Sequence, residues 1–264
     1  MSERPFAAEI GFYDHYGSTA ITHPGTVRKY NEDAYTSCPE IGLWAVADGV
    51  GGHEAGDFAS QIVTDILRGV PAGLSAAELL AEVYLRLGNA HQRLQKEAAE
   101  RGPDTIIATT VVVLLLRQDH FACLWAGDSR AYLLRDGQIV QVTRDHSLVQ
   151  ELIDANAISP AEAENHPRAN VITRAVGSGD SLMLDKVSDR VRDGDRFLLC
   201  SDGLWKMLHD DELAGLLKGN GQVPAEELLA AALERNADDN VTVVTVEVSP
   251  EMTPFTGATE NGSG

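Results

Sequence analysis

Four aspartates in this sequence share one local setting, an apolar strand-like run meeting a carboxylate beside a small or turn-forming residue. "LWAVADG" ends in Asp48-Gly49, "FLLCSDG" in Asp202-Gly203 and "LWAGDSR" carries Asp128, while "RNADDNVTVV" sets Asp239 just before a run. Taken singly, each is a turn signal, because Asp and Gly tolerate turn backbone geometry. Taken together, strands of one sheet bring their ends to a common rim, where unpaired carboxylates repel one another. Convergence therefore calls for a counter-charge, and hard carboxylate oxygens without His or Cys suit Mg²⁺ or Mn²⁺. A second stretch, "TVRKYNEDAY", sets Arg28 five residues before Asp33, with Asn31 and Glu32 between. A guanidinium suits bidentate contact with a phosphate, and the neighbouring acids suit the water shell of a cation. By itself this stretch also reads as a charged loop with a surface ion pair. His53 follows Asp48 in the Gly-rich "ADGVGGHEAGD".

The elements that would carry these residues are legible in the pattern. Strand-like runs recur at Leu43–Ala47, Ala108–Leu116, Phe121–Ala126, Arg130–Thr143, Arg196–Cys200 and Asn240–Val248. The fourth contains Asp136-Gly137 between two short runs, the signature of a hairpin with a type I′ turn. Phe58, Ile62, Ile66 and Leu67 share one face of a helix from about Glu54 to Gly69. A longer helix spans about Ser75 to Ala99, a third is marked by Leu213, Leu216 and Leu217, and a fourth starts at Pro224. Hairpins mixed with long helices, without regular βαβ alternation, predict an α+β layered fold with largely antiparallel sheets. The stretch 145–174 starts as a short amphipathic helix, turns polar and contains Pro160 and Pro167. It reads as a small subdomain standing out from the sheets or as an ordinary surface excursion.

Composition narrows the class. The 264 residues have an ordinary hydrophobic share of 44%, enough for a substantial core. The formal net charge of −19 disfavours nucleic acid and anionic membrane as partners, since both reward positive charge. No apolar run approaches the roughly 20 residues of a membrane helix. The N-terminus lacks the basic-then-apolar form of a signal peptide, so the expected location is the cytoplasm. Cys38, Cys123 and Cys200 stand without CxxC spacing and read as small core hydrophobes in a reducing compartment. Residues 250–264, rich in Gly, Thr and Pro, read as a flexible tail.

The motifs R-x-x-N-E-D (Arg28–Asp33), A-D-G-V-G-G-H (Ala47–His53), A-T-T (Ala108–Thr110), G-D-S-R (Gly127–Arg130), S-D-G-L (Ser201–Leu204) and D-D-N-V-T (Asp238–Thr242) occur in that order. Each is weak alone; in this order and spacing they resemble the metal-dependent protein serine/threonine phosphatases of the PP2C or PPM family, in their compact bacterial form. The resemblance runs from about Thr19 to Val248. The family often has Gly where Ala108 stands, a small change not expected to affect the metals. The resemblance implies a β-sandwich of two antiparallel sheets flanked by α-helices, with a flap at 145–174. The implied layout is an N-terminal extension over 1–17, a phosphatase domain over 18–249 and the tail.

Carried onto these residues, the resemblance implies two Mn²⁺ or Mg²⁺ ions bridged by Asp48. The Gly49 carbonyl would bind one of them, and Asp202 and Asp239 would complete the other's shell. Glu32 and Asp33 would act mainly through water, and Asp128 would hold a third, weaker metal. Arg28 would grip the substrate phosphate. His53 matches the proposed general acid, a position where a hydrogen-bonding support role is equally common. The implied reaction is direct hydrolysis of phosphoserine and phosphothreonine on proteins by water held between the metals, with no phosphoenzyme. The implied partners are phosphorylated proteins, including a bacterial Ser/Thr kinase whose action is reversed. No large exposed apolar face is evident, so a monomer is expected. A partner-switching phosphatase with one dedicated substrate and a scaffold with little turnover are the alternatives.

Overall fold

Alternation at every second residue sorts the strands into faces, and the faces stack into layers. The computed structural model describes residues 7–51, 53–219 and 223–249, with His53 and Glu54 described by backbone alone. The expected tail over 250–264 lies outside the described residues. In chain order the elements are β1 (Glu9–Tyr13), β2 (Tyr16–His23), β3 (Asp33–Cys38), β4 (Leu43–Val50), α1 (His53–Arg68) and α2 (Ala76–Arg101). Then follow β5 (Ala108–Thr109), β6 (Val111–Arg117), β7 (His120–Ala126), β8 (Arg130–Arg135), β9 (Gln138–Gln141), α3 (Leu148–Asp154) and α4 (Pro160–Glu164). The chain closes with β10 (Asp185–Arg190), β11 (Arg196–Cys200), α5 (Asp202–Trp205), α6 (Asp210–Lys218), α7 (Pro224–Glu234) and β12 (Val241–Val248).

One antiparallel sheet has the order β1-β2-β12-β11-β8-β9; the other has β10-β7-β6-β4-β3, with β5 paired to β4. In β4, Leu43, Ala45 and Ala47 face α1 and α2 in one core, while Trp44 and Val46 enter the core between the sheets. In β12, Val241 and Val243 join Leu213, Leu217, Leu228 and Leu229 of α6 and α7, while Val244 and Val246 face the other sheet. The outcome is a helix–sheet–sheet–helix sandwich, as the sequence implied. Each core takes one thiol, Cys38, Cys200 or Cys123, and all three are buried and free.

Local signals act where expected. Ser75 caps α2 with a reciprocal Glu78 contact. Asp136 and Gly137 both take positive φ, 51° and 78°, as a type I′ hairpin between β8 and β9 requires. Residues 9–13 and 16–17, set by the sequence reading in an N-terminal extension, pair into the first sheet as β1 and the start of β2. Over 145–174 the chain leaves both sheets, forms α3 and α4, and returns to its own root. Leu148 N donates to Val171 O at 2.8 Å and Thr173 N to His146 O at 2.8 Å, closing the base of this excursion.

Candidate metal centre at the sandwich rim

The same alternation that fills the inter-sheet core aims polar groups into one end of it. Asp48 continues the Trp44–Val46 parity of β4, and Asp33 continues the parity of Tyr35, which packs on that core. These two aspartates are directly opposed in the β3–β4 register. Like charges directly opposite in an antiparallel pair destabilise it. Asp202 opens α5 immediately past β11, and Asp239 stands two residues before β12, so the second pair comes from the other sheet. Asp128 lies in the short crossing from β7 in one sheet to β8 in the other. The common rim expected of a single sheet is thus built from the ends of both.

The aspartates act on one another. Burial and then the charges of Asp33, Asp202, Asp128 and Asp239 push the Asp48 carboxyl well above its ordinary range. Asp33, 4% exposed, is pushed up to about 7 by burial, against the lowering effect of hydrogen bonds from Ser201 and Thr242. Asp128, 5% exposed, is also raised to about 7, by burial and then by Asp202 and Asp145. Carboxylates crowded so that ionisation is disfavoured form a donor set short of positive charge, which a divalent oxygen-seeking cation matches.

Side chains of the rim already engage neighbours. Asp33 Oδ2 accepts from Ser201 Oγ at 2.6 Å and from Thr242 Oγ1 at 2.7 Å. Arg28 Nη2 donates to Asp239 Oδ2 at 2.9 Å, and Lys206 Nζ donates to Asp202 Oδ2 at 2.6 Å. Among the described residues, no three His, Cys, Asp or Glu side chains stand in a ready-made cation cage. The Glu32 carboxylate lies over Gly56 of α1, where a Cβ would collide with it. A Cβ at Gly49 would likewise overlap the Gly56 carbonyl, so the position takes no side chain, and the Gly49 N–H donates to Glu32 O at 3.1 Å. His53 begins α1, and its side chain lies outside the described residues.

Several positioning residues escaped sequence reasoning although they sit inside the quoted motifs. Thr110 Oγ1 accepts from Asp48 N at 3.1 Å, and Asp48 O accepts from Thr110 N at 2.8 Å and Thr109 Oγ1 at 2.9 Å. The A-T-T motif is therefore the clamp on the Asp48 backbone. Asn240 accepts from Glu32 N at 2.8 Å and donates to Pro24 O and Tyr30 O, latching the loop that carries Arg28. The available signal was the recurrence of Ser, Thr and Asn beside each acid; which acid each would hold depends on strand register.

A helix-flanked sandwich of two antiparallel sheets, with aspartates from both sheets crowding one rim, is the architecture of PP2C-type proteins. The chain belongs to that family: the model of the protein phosphatase 2C family matches residues 26–239. It is 38% identical over 232 residues to the serine/threonine protein phosphatase PstP of Mycobacterium tuberculosis, covering 85% of this chain and 43% of that one. The chain thus spans less than half the length of this mycobacterial relative. Among solved structures, PppA from Pseudomonas aeruginosa superposes with a TM-score of 0.82 at 43% identity, over 89% of this chain and 98% of that one. The catalytic domain of PstP in complex with two manganese ions gives a TM-score of 0.75 at 35% identity, over 89% and 98% of the two chains.

Proposed function

We propose that this protein is a metal-dependent phosphatase that hydrolyses phosphoserine and phosphothreonine on proteins. The observation that carries the reading is the opposed pair Asp33 and Asp48, joined by Asp128, Asp202 and Asp239 at one rim of a PP2C-family sandwich. Asp48 and the Gly49 carbonyl would bind at the middle of the site, with Asp202 and Asp239 completing the set. Glu32 and Asp33 would orient the water shell, and Asp128 would hold a third, weaker ion. When bound, two Mn²⁺ or Mg²⁺ ions would neutralise phosphate charge and lower the pKa of attacking water. Arg28, paired with Asp239 at the open face of the rim, would exchange that carboxylate for the substrate phosphate. His53 would stand at the start of α1 as the donor of a proton to the leaving serine or threonine oxygen.

The site needs no nucleophilic thiol. Cys123 and Cys200 are buried, which drives their thiols up and out of reactive range, and burial raises Cys38 to about 11. Substrates would be phosphorylated proteins, among them a Ser/Thr kinase that this enzyme would oppose, and the working unit would be a monomer. Three free buried thiols accord with a cytoplasmic setting. Among the described residues no helix is long and apolar enough to cross a membrane. The phosphatase domain, expected over 18–249, would also take in β1 and the start of β2, which pair into its first sheet, with the 145–174 excursion as its flap.

The test is release of p-nitrophenol from its phosphate ester in Mn²⁺, stopped by EDTA and restored by excess Mn²⁺. Asp48→Ala and Asp202→Ala should each lower the rate at least a thousandfold while keeping the far-UV circular dichroism of the fold, since each removes a cation donor rather than a core contact. Near-normal turnover in either variant would overturn the assignment.

A further inference from the structure

The two residues after the S-D-G-L motif, Trp205 and Lys206, connect the rim to the excursion over 145–174 in different ways. Trp205 is fixed. Its Nε1–H donates to Asp128 O at 3.0 Å, and the Arg130 guanidinium lies 3.6 Å from its ring centroid. Arg130 in turn grips Asp145, the first residue of the excursion, through Nη2 at 2.7 Å and Nε at 3.0 Å. This stack joins the excursion's root to the rim through a planar side chain with little freedom to move.

Lys206 is a different kind of contact. Its ammonium bridges Asp202 Oδ2 at 2.6 Å and Asn170 Oδ1 at 2.8 Å. Asn170 belongs to the far arm of the excursion, among turns held by Ala169 N to His166 O and Val171 N to Arg168 O. One flexible four-carbon stem therefore ties a proposed cation ligand to the polar arm, and an ammonium and a divalent cation compete for the same carboxylate because they repel each other at close range. We propose that Lys206 is the resident counter-ion of the rim, holding Asp202 and Asn170 together until a divalent cation takes the Asp202 carboxylate, so that loading the site releases the 145–174 arm. Lys206 is thus a positioning residue acting through Asp202 and Asn170. The proposal rests on the reading of Asp202 as a cation ligand.

The experiment uses the full chain and Mn²⁺ alone. Isothermal titration compares wild type with Lys206→Met, Lys206→Arg and Asp202→Ala, and hydrogen exchange follows the amides of Ala169 and Val171 with and without Mn²⁺. Removing the competing charge should tighten Mn²⁺ binding about tenfold in Lys206→Met, and Lys206→Arg should stay near wild type. Metal-free Lys206→Met should exchange at Ala169 and Val171 as fast as Mn²⁺-loaded wild type, and faster than metal-free wild type. If wild type takes up no Mn²⁺, or Asp202→Ala binds it as well as wild type does, the ligand reading itself fails. If those two behave as stated but Lys206→Met binds Mn²⁺ no more tightly, or its exchange matches metal-free wild type, the counter-ion proposal alone is overturned.

Discussion

Arg28 and Asp239 hold each other across the open face of the rim, so a phosphate arriving at Arg28 must draw the guanidinium from a carboxylate already in place. Under the proposed function such a contact would be made in the ground state as well as at the barrier, and Arg28→Ala should chiefly raise KM, by about tenfold, as steady-state rates on a phosphopeptide would register. An unchanged KM would exclude Arg28 from phosphate binding. His146 makes a second prediction. It accepts from Gly127 N through Nδ1 at 3.2 Å, faces Asp185 at 3.2 Å and Arg174 at 3.3 Å through Nε2, and stacks on Trp125. Burial lowers its pKa below the ordinary 6.5, with Arg174 acting in the same direction and Asp185 and Asp145 against it. A depressed pKa means the unfolded chain binds the proton first, so this contribution is present above pH 6.5 and is lost as pH falls. His23 and His91 share the direction. His146→Asn keeps an acceptor for Gly127, and its denaturant midpoint should fall less than that of wild type between pH 7.5 and pH 5.5. Equal losses would remove His146 from the account.

Strand ends deliver these residues, and the close approach of elements there is as consequential as the side chains. Gly203, in the first turn of α5, lies against the Asn240 carbonyl, and a Cβ would overlap that oxygen. Gly203→Ala should therefore push α5 from β12, moving Asp202 relative to Asp239. The expected loss is about 1–3 kcal/mol in urea unfolding, with a weaker Mn²⁺ titration than any surface Gly→Ala change produces. Buried elements were the legible ones. The α1, α2 and α7 patterns and the β4, β6, β11 and β12 runs all bury a face, and burial is what writes periodicity into a sequence. Two edge strands left no such trace. All five β1 residues and all six of β10 ("DKVSDR") are at least partly exposed: Ile10 and Phe12 of β1 alternate without being buried, and Val187 is the one apolar residue of β10. Their pairing follows from backbone hydrogen bonds that any residue supplies.

For the molecule as a whole, the crowded rim carboxylates work against the fold, and bound cations would neutralise them. Five aspartates drawn from both sheets, within a chain of net charge −19, store repulsion that cation binding to the folded state alone would relieve. Mn²⁺ at a hundredfold excess over its Kd should stabilise the protein by about 2.7 kcal/mol per site, read as a rise in Tm that EDTA reverses and that Asp48→Ala diminishes. Absence of any shift would show that the folded protein gains no cation. Residue types and their order carried much of this: strand runs ending in Asp48, Asp128 and Asp202, a run preceded by Asp239, and the motif series that shows family kinship. Those are local facts, set by which side chains must be buried and which turns the backbone permits. The opposition of Asp33 to Asp48, the Ser201 and Thr242 bonds to Asp33, the Thr110 clamp on Asp48 and the Lys206 bridge to Asn170 were not readable in advance. Each depends on strand register and on how two sheets stack, which bring together residues far apart in sequence, 209 positions in the case of Asp33 and Thr242, and no local pattern specifies that pairing.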